Sequence, residues 1–172
     1  MTHEEIAALL PEVFRRTLVR GGLLDGLLDV MHGLHEPTER VLRELPAYFD
    51  PYRTPDAFVP YLATWLDLDR FLGAPSDPFP AGSGRLRELV ANAARLSALR
   101  GTAAGLALFL EVATGLTGFA VREGVDTSGA SKPFSVLVVC PAEAEPLRPL
   151  VAGIVASEKP VHVVASVVFG PP

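Results

Sequence analysis

Cysteine is nearly absent from this sequence: Cys140 stands alone, which excludes an internal disulfide and suits a reducing compartment. Positive charge is also short, with 15 Lys and Arg against 20 Asp and Glu and a net charge of -5. Such a balance gives no long-range pull on a phosphate backbone, so nucleic acid is not an expected partner. The opening residues Met1-Thr2-His3-Glu4-Glu5 lack the basic and apolar regions of a secretory signal, and cytoplasmic synthesis is expected. No clean apolar span exists either. The nearest, Gly101 to Val121, carries Glu111 near its middle and is broken by Gly105, Gly115 and Gly118. A carboxylate at bilayer depth costs several kcal/mol, so the span reads as a buried helix, a turn and a strand, with no integral membrane segment.

What is present is apolar material: 49% of the 172 residues are hydrophobic, enough for one good core, with two tightly joined subdomains as the alternative. The 15 glycines and 16 prolines stay below the roughly 25–30% that signals low complexity, so a fold with many sharp corners is expected. Thr2 and Glu5 form a capping box for a short helix stopped by Pro11. Helix is expected to resume through Arg20 and to break at Gly21-Gly22. Leu23, Leu24, Leu27, Leu28, Met31 and Leu34 then recur at helical spacing, either as core or as a face for a partner chain. Pro37 fits the first turn of a following helix with Val41, Leu42 and Leu45, and the Pro-rich stretch from Leu45 to Arg53 reads as a connector. Thr54-Pro55-Asp56 signals another helix start, with Phe58, Leu62, Trp65 and Leu66 as its buried face.

The Gly- and Pro-rich stretch from Gly73 to Gly84 reads as a linker between a helical region, 1–72, and a small α/β domain, 85–172. Such a linker lets the helical part take a different orientation in non-equivalent copies. The helix after it ends at Leu99-Arg100-Gly101-Thr102-Ala103-Ala104-Gly105-Leu106, the most distinctive corner in the chain. Gly101 suits the left-handed residue after a helix, and Thr102 can cap the next one. Gly105, one turn in, costs about 1 kcal/mol against Ala unless another backbone passes close by. Beyond Gly115 the period becomes alternating: strands are expected around Phe119–Val121, over Phe134–Cys140 and over Val161–Phe169. A polar loop, Glu123–Lys132, joins the first two as a hairpin, and a helix with Leu147, Leu150, Val151, Ile154 and Val155 connects the last two in parallel. The fold class expected is α+β: a helical N-terminal half, then an α-α-β-β-α-β unit with a mixed three-stranded sheet.

Chemistry is sparse. His32, His35 and Glu36 share a helix face, but nothing else completes a metal-ligand set. His162 has no nucleophile near it in sequence; Asp67-Leu68-Asp69 lacks the Gly and Glu of a calcium loop; and Gly82-Ser83-Gly84-Arg85 lacks the Lys-Ser/Thr of a phosphate loop. Cys140, closing an apolar strand, reads as a small buried hydrophobe. No catalytic residue, metal ligand or cofactor is expected.

Taken in order, Leu45-Pro46-x-Tyr48-Phe49-Asp50-Pro51, Thr54-Pro55-Asp56-x-Phe58-Val59-x-x-Leu62-Ala63-x-Trp65-Leu66, Leu99-Arg100-Gly101-Thr102-x-x-Gly105-Leu106, Thr114-Gly115 and Glu158-Lys159-Pro160-x-His162 resemble the phage tail protein I family. Val161 stands where the family commonly has Ala. The resemblance implies a non-enzymatic baseplate wedge subunit of a phage-tail-like contractile injection system. Its partners would be other wedge subunits and the hub, spike and sheath proteins, with several copies in a symmetric ring inside the assembled particle. It offers no catalytic residues. Arg100, Gly101, Thr102 and Gly105 are the structural motif, Arg100 bracing the corner by polar contact within the chain or across to a neighbour. Leu27, Met31, Trp65, Phe109 and His162 are candidate partner contacts. The alternative, from the residues alone, is a small α/β ligand-binding or enzymatic domain with a site near the sheet.

Overall fold

A computed structural model describes residues 2–73 and 77–170; of the expected linker, 74–76 lie outside the described residues. The architecture is α+β, with a helical N-terminal half followed by a three-stranded mixed sheet and its helices. Contacts divide the chain into two units, Met1–Tyr48 and Phe49–Pro172.

In the first unit, α1 (His3–Leu9) opens with the expected capping box: the Thr2 hydroxyl accepts from Glu5 N at 3.3 Å and the Glu5 carboxylate accepts from Thr2 N at 2.6 Å. After α2 (Glu12–Arg16), which stops short of the Arg20 expected, comes α3 (Leu23–Tyr48), a single helix of 26 residues. Pro37 and Pro46 both lie inside it, so Pro37 starts no new helix and the connector begins only after Tyr48. An internal proline forfeits one backbone bond and costs about 3 kcal/mol. Here the apolar repeat stays in phase across Pro37, Leu34 and Val41 being two turns apart, and Glu36 and Arg40 pair across it at 3.1 Å. α1 packs on the side of α3 that carries Asp25, Leu28 and Asp29, and Leu28 alone of the α3 side chains is buried. At 3.6 residues per turn Leu27 and Leu34 lie about 180° round the helix from Asp25, which explains why both remain exposed.

The second unit holds α4 (Val59–Trp65), α5 (Ser83–Ala98), α6 (Ala103–Thr114), β1 (Ala120–Val125), β2 (Ser131–Cys140), α7 (Arg148–Glu158) and β3 (Val164–Phe169). β1 and β2 form the expected antiparallel hairpin, Ala120 opposite Val139, but the pairing of Val125 with Ser131 carries both strands into the expected loop and leaves only 126–130 as the turn; β2 and β3 run parallel, Ser135 opposite Val164. Pro149 sits in the first turn of α7, where its missing N–H is not needed. α4 departs from expectation. A 3-10 turn, Asp56–Phe58, precedes it, and its buried side chains are Val59, Leu62 and Ala63, while Trp65 and Leu66 stay exposed. Of the expected face Leu62 is buried and Phe58 packs against the core, but at about 100° per residue Trp65 lies on the other side of Leu62 from Val59 and Ala63, and Leu66 falls after the helix has ended. β3 begins three residues later than expected because Pro160 opens a turn, closed by Val163 N–H to Pro160 O at 3.0 Å, and His162 lies in that turn.

One apolar core joins α4, α5, α6, α7 and the sheet, with Leu89, Leu110, Val138, Val151 and Ile154 fully buried at its centre, and so includes residues on both sides of the Gly73–Gly84 stretch. Leu110→Ala should cost about 2–5 kcal/mol as a lower urea midpoint with an unchanged slope. A loss under about 1 kcal/mol would mean the helix is not the centre of the core.

Candidate functional site

The corner between α5 and α6 is built from backbone and two small side chains. Gly101 has φ +78°, a conformation that penalises any Cβ. Leu99 O accepts both the Thr102 N–H at 3.2 Å and the Thr102 hydroxyl at 2.7 Å. That hydroxyl oxygen in turn accepts from Gly105 N at 2.9 Å, capping α6. A Cβ built on Gly105 would lie 2.1 Å from Leu99 O, so this glycine is where the two backbones meet.

Arg100 connects the corner to α7. Its Nε lies 3.4 Å from a Glu158 carboxylate oxygen and its NH2 nitrogen 3.5 Å from Asp67. Arg70 bonds the same two acids, Glu158 at 2.5 Å and Asp67 at 2.8 Å. Glu158 ends α7, where its charge faces the negative end of the helix dipole, and its side chain is only 7% exposed. Two guanidinium groups are what make that burial tolerable. Asp67 holds φ +58°, which Asp adopts more readily than most residues, and pairs with both arginines from an exposed position. The Arg70 guanidinium also stacks 4.9 Å from the Phe71 ring, whose edge meets Phe109 at 5.3 Å.

Two hollows flank this network. One of about 410 Å³ lies between α4 and α5, lined by Trp65, Arg70, Arg100 and Glu158. The other, about 240 Å³, lies between the corner and the sheet, lined by Thr102, Leu106, Glu123, Phe134 and Glu158. Phe134 is 71% exposed with φ +57°, a costly conformation for an aromatic residue, and meets His162 edge-on at 5.9 Å. Ser135 Oγ beside it lies within hydrogen-bond reach of Val125 O and Lys132 O.

Leu27, Met31, Trp65 and His162 are exposed, whereas Phe109, expected at a contact surface, is a core residue because the α6 face it shares with Leu106, Leu110 and Ala113 packs inward. Glu36 of the expected His32/His35 face pairs with Arg40. Among the described residues the group of three side chains able to hold a metal is instead His3, Asp25 and Asp29. Cys140 is fully buried, and burial pushes its thiol up to about 11 against a smaller opposing pull from Arg148. The hairpin loop is tied by Asp126, whose carboxylate sits below its ordinary range because the Ser128 hydroxyl and N–H and the Ala130 N–H donate to it, with Lys132 adding a weaker pull.

Two anchors escape sequence reasoning. Arg87 reaches from α5 to the Pro51 carbonyl, to Thr54 O at 2.8 Å and to Asp56 at 2.6 Å, clamping the connector. Glu158 and Arg70 are 88 positions apart. Neither leaves a local signature. An exposed aromatic row was hidden for a similar reason: Phe49, Trp65 and Tyr61 follow one another at 5.6 and 5.2 Å. No helix among the described residues is long and apolar enough to cross a membrane.

Residues 25–161, most of the chain, match the family model described as Phage tail protein (Tail_P2_I). No curated protein matches the chain.

Gly105→Ala should destabilise by about 2 kcal/mol despite the roughly 1 kcal/mol of helix propensity it gains. A stabilised variant in urea denaturation would show that the close approach is not rigid. Glu158→Gln should cost about 2 kcal/mol by the same measurement, and Asp67→Asn, at an exposed acid, under about 1 kcal/mol. Equal losses would locate the brace elsewhere.

Proposed function

Given that the chain belongs to the phage tail protein family and so has a structural tail role, we propose that it is a non-enzymatic baseplate wedge subunit of a contractile injection particle. It would join the hub and spike to the sheath through protein–protein contacts, several copies forming a symmetric ring.

The observation that carries this reading is the set of large apolar side chains left exposed along one side of α3 and in an aromatic row of the second unit. On α3, Leu23, Leu27, Leu34 and Leu42 are each more than half exposed, at 94, 54, 73 and 57%. In the second unit the row of Phe49, Tyr61 and Trp65 is about half exposed. Contiguous apolar surface of this kind marks contact sites, and aromatic clusters supply their strongest anchors. The arginines described above are occupied in holding the fold: Arg70, Arg87 and Arg100 are each committed to acids or carbonyls of the same unit.

Deleting the gene in its producing strain should abolish complete baseplates in electron micrographs of purified particles; normal particles would end the proposal. The double variant Leu27→Glu/Leu34→Glu should stay within about 0.5 kcal/mol of the parent in stability, because both sites are exposed, yet drop out of particles. Incorporation at the parental level would show that the α3 stripe is not a contact face.

A further inference from the structure

The N-terminal unit has little core. Among the described residues of Met1–Tyr48 only Ile6 and Leu28 are buried apolar side chains, and scaffolds this small ordinarily depend on a staple. A ligand set lies where a staple would act. His3, the first residue of α1, places Nε2 at 3.1 Å from an Asp25 carboxylate oxygen and 3.6 Å from an Asp29 oxygen. One donor atom from each of the three side chains lies within 4.8 Å of the other two. Atoms bound to one ion at about 2.0–2.1 Å stand about 2.9–3.5 Å apart at octahedral or tetrahedral angles, so only small side-chain adjustments separate this arrangement from a coordination sphere.

Three further observations point the same way. His3 Nε2 is shut off from solvent, and its approach to Asp25 lacks hydrogen-bond geometry. The Asp25 carboxylate is held from behind, its Oδ2 accepting the Gly21 N–H at 2.7 Å, which leaves Oδ1 turned to His3, as outer partners orient metal ligands. Asp29 is 70% exposed, which gives an ion a way in and waters a place in its sphere. His3 also lies ahead of residues 25–161, so the set draws on a part of the chain outside the family match.

We propose that His3 Nε2 and one carboxylate oxygen each from Asp25 and Asp29 bind a divalent transition-metal ion, with Zn²⁺ the best-suited, clipping α1 to α3. One imidazole and two carboxylates make a mixed nitrogen and oxygen set that fits such an ion better than calcium, which takes oxygen alone. Water completes the sphere.

The full chain, stripped of metal by chelator and dialysed, is titrated with ZnCl₂ by calorimetry. One ion per chain is expected, with affinity lowered at least tenfold in His3→Gln and in Asp29→Asn, each checked for parental circular dichroism. Zn²⁺ should also slow amide exchange in α1 of the parent chain and leave His3→Gln unchanged. Affinity unaltered by either substitution would place the ion elsewhere and overturn the site. So would the absence of saturable binding with α1 exchange unmoved by zinc, which would leave His3 as a counter-ion to two carboxylates; this last comparison needs only the parent chain.

Discussion

The Leu99 carbonyl oxygen receives an N–H and a hydroxyl from Thr102 while Gly105 passes so near that no side chain fits between. Everything in the larger unit hangs on that approach. It fixes where α6 points, and α6 supplies the central Leu106, Phe109, Leu110 and Ala113 against which α5, α7 and β1 pack. The same turn places Arg100 within reach of Glu158 at the far end of α7. The crossover from β2 to β3 is therefore coupled to the corner through a carboxylate shared by two arginines. A helix pair and a sheet that could each pack in several ways are locked in one.

Local chemistry was legible where it was local. The Thr2 box, the Thr102 cap, the stop at Pro11, Pro149 in a first turn and the antiparallel pairing of the first two strands all rest on groups within a few positions of one another, and the structure has each of them, though the hairpin turn is shorter than the expected loop. Features set by tertiary packing were not. Pro37 reads as a boundary because its local penalty is plain, yet α3 runs on through it with Glu36 and Arg40 paired across it. Trp65 reads as buried because it stands three residues after the buried Leu62, but the side that packs is centred between Leu62, Val59 and Ala63, which leaves Trp65 on its outer edge.

At the corner itself, Gly101, Thr102 and Gly105 were legible as a motif, but the acids that answer Arg100 were not. Glu158 stood in view only as part of a Glu-Lys-Pro string, with nothing to tie it to Arg70 or Arg100. By helical position Arg87 lies off the face of Leu86, Leu89 and Val90, yet its side chain is 17% exposed and fastens three groups of the connector. A guanidinium can cross from one element to another along its aliphatic stem, so helical position alone does not say what it binds.

The two faces of α3 divide the labour of the smaller unit. Helices draw most of their stability from tertiary packing of one face, but here the face that packs, carrying Asp25, Leu28 and Asp29 toward α1, is the more polar one. The apolar stripe of Leu23, Leu27 and Leu34 lies about half a turn away and packs on nothing within its unit. Apolar area so placed costs a free chain solubility and contributes about 25 cal/mol per Å² only when something covers it. A metal clip on the polar side and a neighbouring subunit on the apolar side would thus act on opposite faces of the same helix. The first would order it before assembly and the second would hold it afterwards, without either site obstructing the other.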